Sequence, residues 1–244
     1  MSASDNEREK IAPQPKTWTM PVVLMTTILV LQIIIAIVTY PFLPDQVPSH
    51  WNIAGQVNSY APKLIAIGLF PLISFMLLVV LRGLVKMGPR LTRDGESSNR
   101  FFIDIALSSV MLLMLVLQMT VVAFSLGVKL DLPFVICFVI SLFFIVLGNY
   151  MGKLRRNFWA GIRTPWSLAN SVVWERTHRL GGWLFVAAGL VGILCSFIPS
   201  LRLWGILVPI MVISIFLYIY SYICYRQQVQ AGNEPLSPPF DGGN

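Results

Sequence analysis

The chain has 244 residues, of which 56% are hydrophobic and only 12% charged. Soluble domains carry about 25% charged residues, so this composition excludes an ordinary water-soluble globular protein. The net charge of +7 comes without any nucleic-acid-binding motif, and its distribution between loops accounts for it without a nucleic-acid partner.

Residues 1–19 are polar and charged and are expected to form a disordered tail. Six apolar runs follow, at Met20–Leu43, Leu64–Leu81, Phe102–Leu126, Leu132–Tyr150, Trp183–Pro199 and Leu203–Tyr222. Runs of about 18 or more apolar residues read as membrane-spanning helices. The fifth is the shortest, with Trp183 and Trp204 as candidate interfacial markers of its ends. The first is too long for a secretory h-region of about 7–15 residues and is expected to remain as an anchor. Unpaired backbone groups are costly in lipid, so spans that are not closed barrels must be helices. The fold class is therefore all-α: a polytopic membrane protein with about six transmembrane helices and the lipid bilayer as its surroundings.

The chain divides into a two-helix unit at 20–86, a charged linker at 87–100, a four-helix unit at 101–225 and a flexible Pro- and Gly-rich tail at 226–244. Fifteen of the 18 lysines and arginines fall in alternate segments: the N-terminal tail, the second and fourth loops, and the C-terminal tail. The positive-inside rule then puts both termini in the cytoplasm. The loop 44–63 lies outside and the loop 151–182 inside.

The outer loop reads LPDQVPSHWNIAGQVNSYAPK. Pro44 and Pro48 restrict the backbone, while Gly55 and Asn58 permit turns. A compact, partly rigid cap is expected, with Asp45, His50 and Asn52 as a polar cluster. The cluster is either a recognition surface or a loop satisfying its own backbone. One His and one Asp are too few ligands for zinc, so no metal is expected.

The inner loop carries three of the seven tryptophans within Asn157–His178. Thr164 precedes Pro165 and should be extended. Ser167, Asn170 or Ser171 can cap a helix starting near Val172. On that helix Trp174 and His178 are one turn apart, as are Glu175 and Arg179. It is expected as a short amphipathic helix on the cytoplasmic interface, ahead of the fifth span.

Charged residues are scarce within the spans. Asp104 can pair with Arg100, Gln32 and Gln118 can hydrogen-bond across the bundle, and Pro71 and Pro209 can kink their helices. Cys137, Cys195 and Cys224 fall in or at the end of spans and read as packing residues, without disulfide spacing. His50 and His178 are assigned to opposite faces, and neither a nucleophile–base pair nor a cofactor or phosphate motif is present. No enzyme activity and no cofactor are expected.

Two stretches carry a family resemblance. The outer loop resembles the short domain of unknown function that often precedes the SdpI domain. GNYMGKLRRNFWAGIRTPWSLANSVVWERTHRLGG resembles the SdpI signature itself, through Gly148, Asn149, Asn157, Gly161, Ile162, Arg163, Thr164, Pro165, Trp166, Trp174, Thr177 and His178. Ser167 stands where that signature more often has Thr. The resemblance spans about Met20 to Tyr225. It implies a bacterial cell-membrane immunity protein that protects against a secreted peptide toxin. It also implies signalling, by holding a cytoplasmic repressor protein at the membrane. The outer motif (Pro44, Asp45, Pro48, His50, Asn52, Gly55) is then the candidate for recognising the toxin. The inner motif is either a docking surface or a brace. The alternative is a small transporter or channel-like protein with inverted three-helix halves.

Overall fold

The structure is a computed structural model that describes residues 20–52, 55–91, 96–157 and 160–232. The N-terminal tail and residues 233–244 of the C-terminal tail lie outside the described residues.

Among the described residues, seven α-helices and one hairpin follow in order. They are α1 (Met20–Thr39), β1 (Gln46–Trp51), β2 (Val57–Pro62), α2 (Lys63–Leu91), α3 (Glu96–Ser125), α4 (Leu132–Met151), α5 (Pro165–Ala169), α6 (Ser171–Ser196) and α7 (Trp204–Gln230). Six helical segments are long and apolar enough to cross a membrane: Met20–Phe42, Lys63–Val80, Phe102–Ser125, Leu132–Met151, Ser171–Ser196 and Pro199–Gln230. Their outward faces are rows of aliphatic side chains, such as Ile37, Leu64, Leu194 and Met211, which suits contact with lipid tails. Successive membrane-length helices run antiparallel. The starts of α1 and α3, the α4–α6 connection and the end of α7 therefore share one end of the bundle. The hairpin and the α3–α4 and α6–α7 turns share the other.

Four details correct the sequence reading. The expected outer cap is an antiparallel hairpin, with Gln46 opposite Pro62 and Pro48 opposite Tyr60. The expected linker 87–100 is mostly helix, since α2 runs to Leu91 and α3 begins at Glu96. The expected tail from residue 226 starts later, because α7 continues to Gln230. The expected surface helix is not separate: Ser171–Ser196 is one continuous helix, and Trp183 stands halfway along it. Gly181 and Gly182 lie within this helix as contact points. A Cβ on Gly182 would lie 2.7 Å from the Gly148 carbonyl oxygen, and one on Gly148 would lie 2.6 Å from that of Gly182. The absence of side chains there lets α4 and α6 approach backbone to backbone.

The two three-helix groups are packed differently. α1, α2 and α3 all touch one another, α3 touches α4, and α6 lies between α4 and α7. Gln118 donates from Nε2 to the Gln32 backbone carbonyl at 2.9 Å, the expected link between α1 and α3. Asp104 is buried near the start of α3; the Arg100 side chain expected to pair with it lies outside the described residues.

Candidate functional site

The two sequence motifs occupy opposite ends of the bundle. At the hairpin end, Val47 is fully buried and packs with Leu43, Ile67, Val121 and Val122. Trp51 meets Phe124 edge to face, with ring centroids 5.9 Å apart. These contacts seat β1 on α2 and α3. Pro48 is buried beside Val47 in the same strand. Polar groups point the other way, but Asp45, His50 and Asn52 do not cluster. Asp45 pairs with Lys63 at 3.1 Å while its own side chain is 93% exposed. Lys63 also lies over the Tyr40 ring, 4.9 Å from its centroid. His50 Nδ1 shares a 2.6 Å hydrogen bond with Asn58 Oδ1 across the strands. Asn52 closes the tip. Its Oδ1 accepts from the Gln56 N–H at 2.9 Å, and its Nδ2 donates to Gln56 Oε1 at 3.2 Å. Pro44 is exposed just ahead of β1.

Gly55 has φ +77°, a conformation that favours glycine. A Cβ there would sit 2.9 Å from Pro133 Cγ, so the hairpin tip abuts the start of α4. Asp131, just before Pro133, caps α4 by accepting from the Phe134 N–H at 3.3 Å. It also pairs with Arg202 at 2.7 Å, and Arg202 Nε donates to the Ser196 carbonyl at 2.8 Å. Hairpin, α3–α4 turn and α6–α7 turn thus form one connected rim.

At the opposite end the inner motif is mainly interior. His178 is 0% exposed and stacks on Trp174, with centroids 3.9 Å apart. The Ile162 N–H donates to His178 Nε2 at 2.9 Å, which requires Nε2 to be the bare nitrogen. Nδ1, 2.9 Å from the Trp174 carbonyl, then carries the proton. The geometry fits one neutral tautomer of the ring. Trp174 Nε1 donates to the Leu154 carbonyl at 2.8 Å. Gly161 has φ +107°, and a Cβ there would collide with His178 Nε2 and Leu154 Cδ2. Asn157 folds the approach: its Nδ2 donates to the Arg155 carbonyl, and its Oδ1 accepts from the Ala160 N–H, each at 2.8 Å.

Thr164 is extended, with φ −90° and ψ 157°, as expected before Pro165. It shares a reciprocal cap with Ser167. The Ser167 N–H donates to Thr164 Oγ1 at 3.1 Å, and the Thr164 N–H donates to Ser167 Oγ at 3.0 Å. This nucleates α5, a turn of helix the sequence reading left out. Thr164 Oγ1 also donates to Ser221 Oγ at 2.9 Å, and Trp166 lies between Tyr218 and Tyr222, 5.0 Å from each. α7 is thereby tied to the loop. Of the three proposed caps of α6, Asn170 serves: its Oδ1 accepts from Val172 and Val173. Thr177 is fully buried. Asn149 and Arg163 are exposed; Gly148, the neighbour of Asn149, is the residue that packs. Glu175 and Arg179 are exposed and form no ion pair with each other.

Sequence reasoning missed the partners rather than the motifs. Leu154 and Ile162 contribute backbone groups, which no side-chain pattern reveals. Ser221, Tyr218 and Tyr222 lie far along the chain, and their helical spacing on α7 was the available signal. Asn58, Gln56 and Lys63 required the hairpin register.

Comparison with known proteins agrees with the layout. Residues 153–222 match the SdpI/YfhL protein family, and residues 27–75 match the domain of unknown function DUF1648. The Immunity protein SdpI of Bacillus subtilis (strain 168) is 26% identical over 199 residues, covering 82% of this chain and 91% of that protein. No solved structure matches. The chain is a multi-pass bacterial membrane protein whose residues 153–222 are similar to the SdpI/YfhL family and whose residues 27–75 are similar to DUF1648.

Proposed function

We propose that this protein is an immunity protein that protects its own cell from a secreted antimicrobial peptide toxin. The hairpin is its outward recognition surface. The arginine-rich end lies in the cytoplasm, as the lysine and arginine distribution supports. One observation carries the reading: the hairpin is anchored by buried Val47 and Trp51 while Asp45 and His50 are turned outward on a rigid base. Loops held on rigid scaffolds are favoured places for recognition. The immunity role named for the Bacillus subtilis relative supports it further.

At the inner end, buried Trp174, Thr177 and His178 serve as a brace. Exposed Arg163 and Asn149 are the proposed contacts for a cytoplasmic repressor, so that toxin at one face is signalled at the other.

The test is expression in a toxin-sensitive host challenged with candidate peptides, with membrane abundance measured alongside. His50→Ala is expected to lose protection at unchanged abundance. Arg163→Ala is expected to keep protection and lose repressor retention. Full protection by the His50 variant sinks the hairpin as the recognition surface.

A further inference from the structure

α1, α2 and α3 enclose two apolar clusters, one toward each end of this three-helix group. Between them each helix turns one polar residue inward. Gln32 lies between Leu29 and Ile35, Ser74 between Phe70 and Leu77, and Gln118 between Leu115 and Val121. All three are 0% exposed. Gln118 stands two turns from the end of α3, about 10 Å at 1.5 Å per residue, well inside the apolar span.

The layer is only partly satisfied from within. Gln118 Nε2 reaches the Gln32 carbonyl. Both amide atoms of Gln32, Oε1 of Gln118 and Oγ of Ser74 make no hydrogen bond to protein. Ser74 is unlike most of its kind here. Ser108, Ser141 and Ser214 each donate to the carbonyl four residues back in their own helix. Polar groups left bare in an apolar interior are costly, and buried polar side chains are held by partners in almost every protein.

The chemistry of the open atoms selects the partner. Gln32 Nε2 donates, the two amide oxygens accept, and the Ser74 hydroxyl does either. A cation would face the amide donor, and an anion would face the two carbonyl oxygens. A small neutral molecule that both donates and accepts matches the set, and a buried water typically makes two to four such bonds. We propose that Gln32, Ser74 and Gln118 form an internal hydration site, a polar joint held by water between the two apolar clusters of the α1–α2–α3 group.

Water-edited solid-state NMR of the full-length protein in lipid bilayers, with glutamine side chains labelled with nitrogen-15, tests this. Single variants Gln32→Met and Gln118→Met assign the two amide signals by their loss. The expected result is transfer of water magnetisation to both amides in the wild-type protein, and a loss of that transfer to Gln32 in Ser74→Ala. Amides that receive no water magnetisation overturn the proposal, as they would if the two glutamines bonded directly to each other in a dry core. Unchanged transfer in Ser74→Ala also overturns the three-helix site. Thermal unfolding gives an independent sign. Gln32→Met lowers the melting temperature if the site is hydrated and raises it if the amide is buried dry, because removing an unpaired polar group relieves its burial.

Discussion

His178 reads as a candidate site residue because histidines are rare in this chain, yet its surroundings give it a different task. Each ring nitrogen already has a backbone partner, Ile162 on one side and Trp174 on the other. Its face is covered by the Trp174 ring. Nothing remains for a substrate or metal. Its position also explains Gly161, where any side chain would enter the space of the imidazole. Gly161→Ala is expected to reduce stability by about 1–2 kcal/mol from the left-handed backbone alone, and by more through the collision. Thermal unfolding in detergent reads this as a lowered midpoint. His178→Phe keeps the ring but leaves the Ile162 N–H unpaired, at a cost of about 1–3 kcal/mol. His178→Ala also opens a cavity beside Trp174, and the order Phe milder than Ala is the expected outcome.

At the scale of elements, the pairing of α4 with α6 depends on what is missing from the helix surfaces. Gly148 and Gly182 face one another so closely that neither tolerates a side chain, and Gly189 meets the Ser141 carbonyl at 2.6 Å from where a Cβ would be. Gly182→Leu is expected to separate the two helices and abolish membrane accumulation, whereas Leu at Gly68, where nothing lies within 4 Å, is expected to be tolerated. Immunoblots of membrane fractions compare the two. The same pair marks the limit of sequence reading. The six spans were legible because apolar length is a local property. The continuity of α6 was not, since Trp183 reads as an interfacial end of the span and the polar run before it as a separate helix, whereas Ser171–Ser196 is one helix. The cap at Asn170 was legible among three candidates because it needs only its own neighbours. The hairpin was missed because its register is fixed by Val47 and Trp51 sitting on α2 and α3, a tertiary fact, and the choice between docking surface and brace for the inner motif stayed open because Thr164 finds Ser221 on a distant helix.

For the whole molecule, alternating helices place the hairpin and the Arg163 loop at opposite ends, and the proposed outward hairpin rests on the charge asymmetry between those ends. Cysteine substitutions report this directly in a chain whose native cysteines have been replaced. Ser59→Cys on the exposed edge of β2 is expected to react with an impermeant maleimide in intact cells. Arg179→Cys is expected to react only after the membrane is opened. The reverse pattern would invert the topology and remove the basis for an outward hairpin.

The seat of the hairpin tip on Pro133 has a consequence for biosynthesis. β1 and β2 are translated early, between the first two spans, but the surface that supports Gly55 belongs to the fourth. The ion pair beside that surface is completed still later, when Arg202 arrives at the start of the last span. A nascent chain holding only its first two spans therefore displays a hairpin without its seat. The rim reaches its final form only as synthesis nears its end, so a truncated product would reach the membrane with an anchor and an unfinished hairpin end.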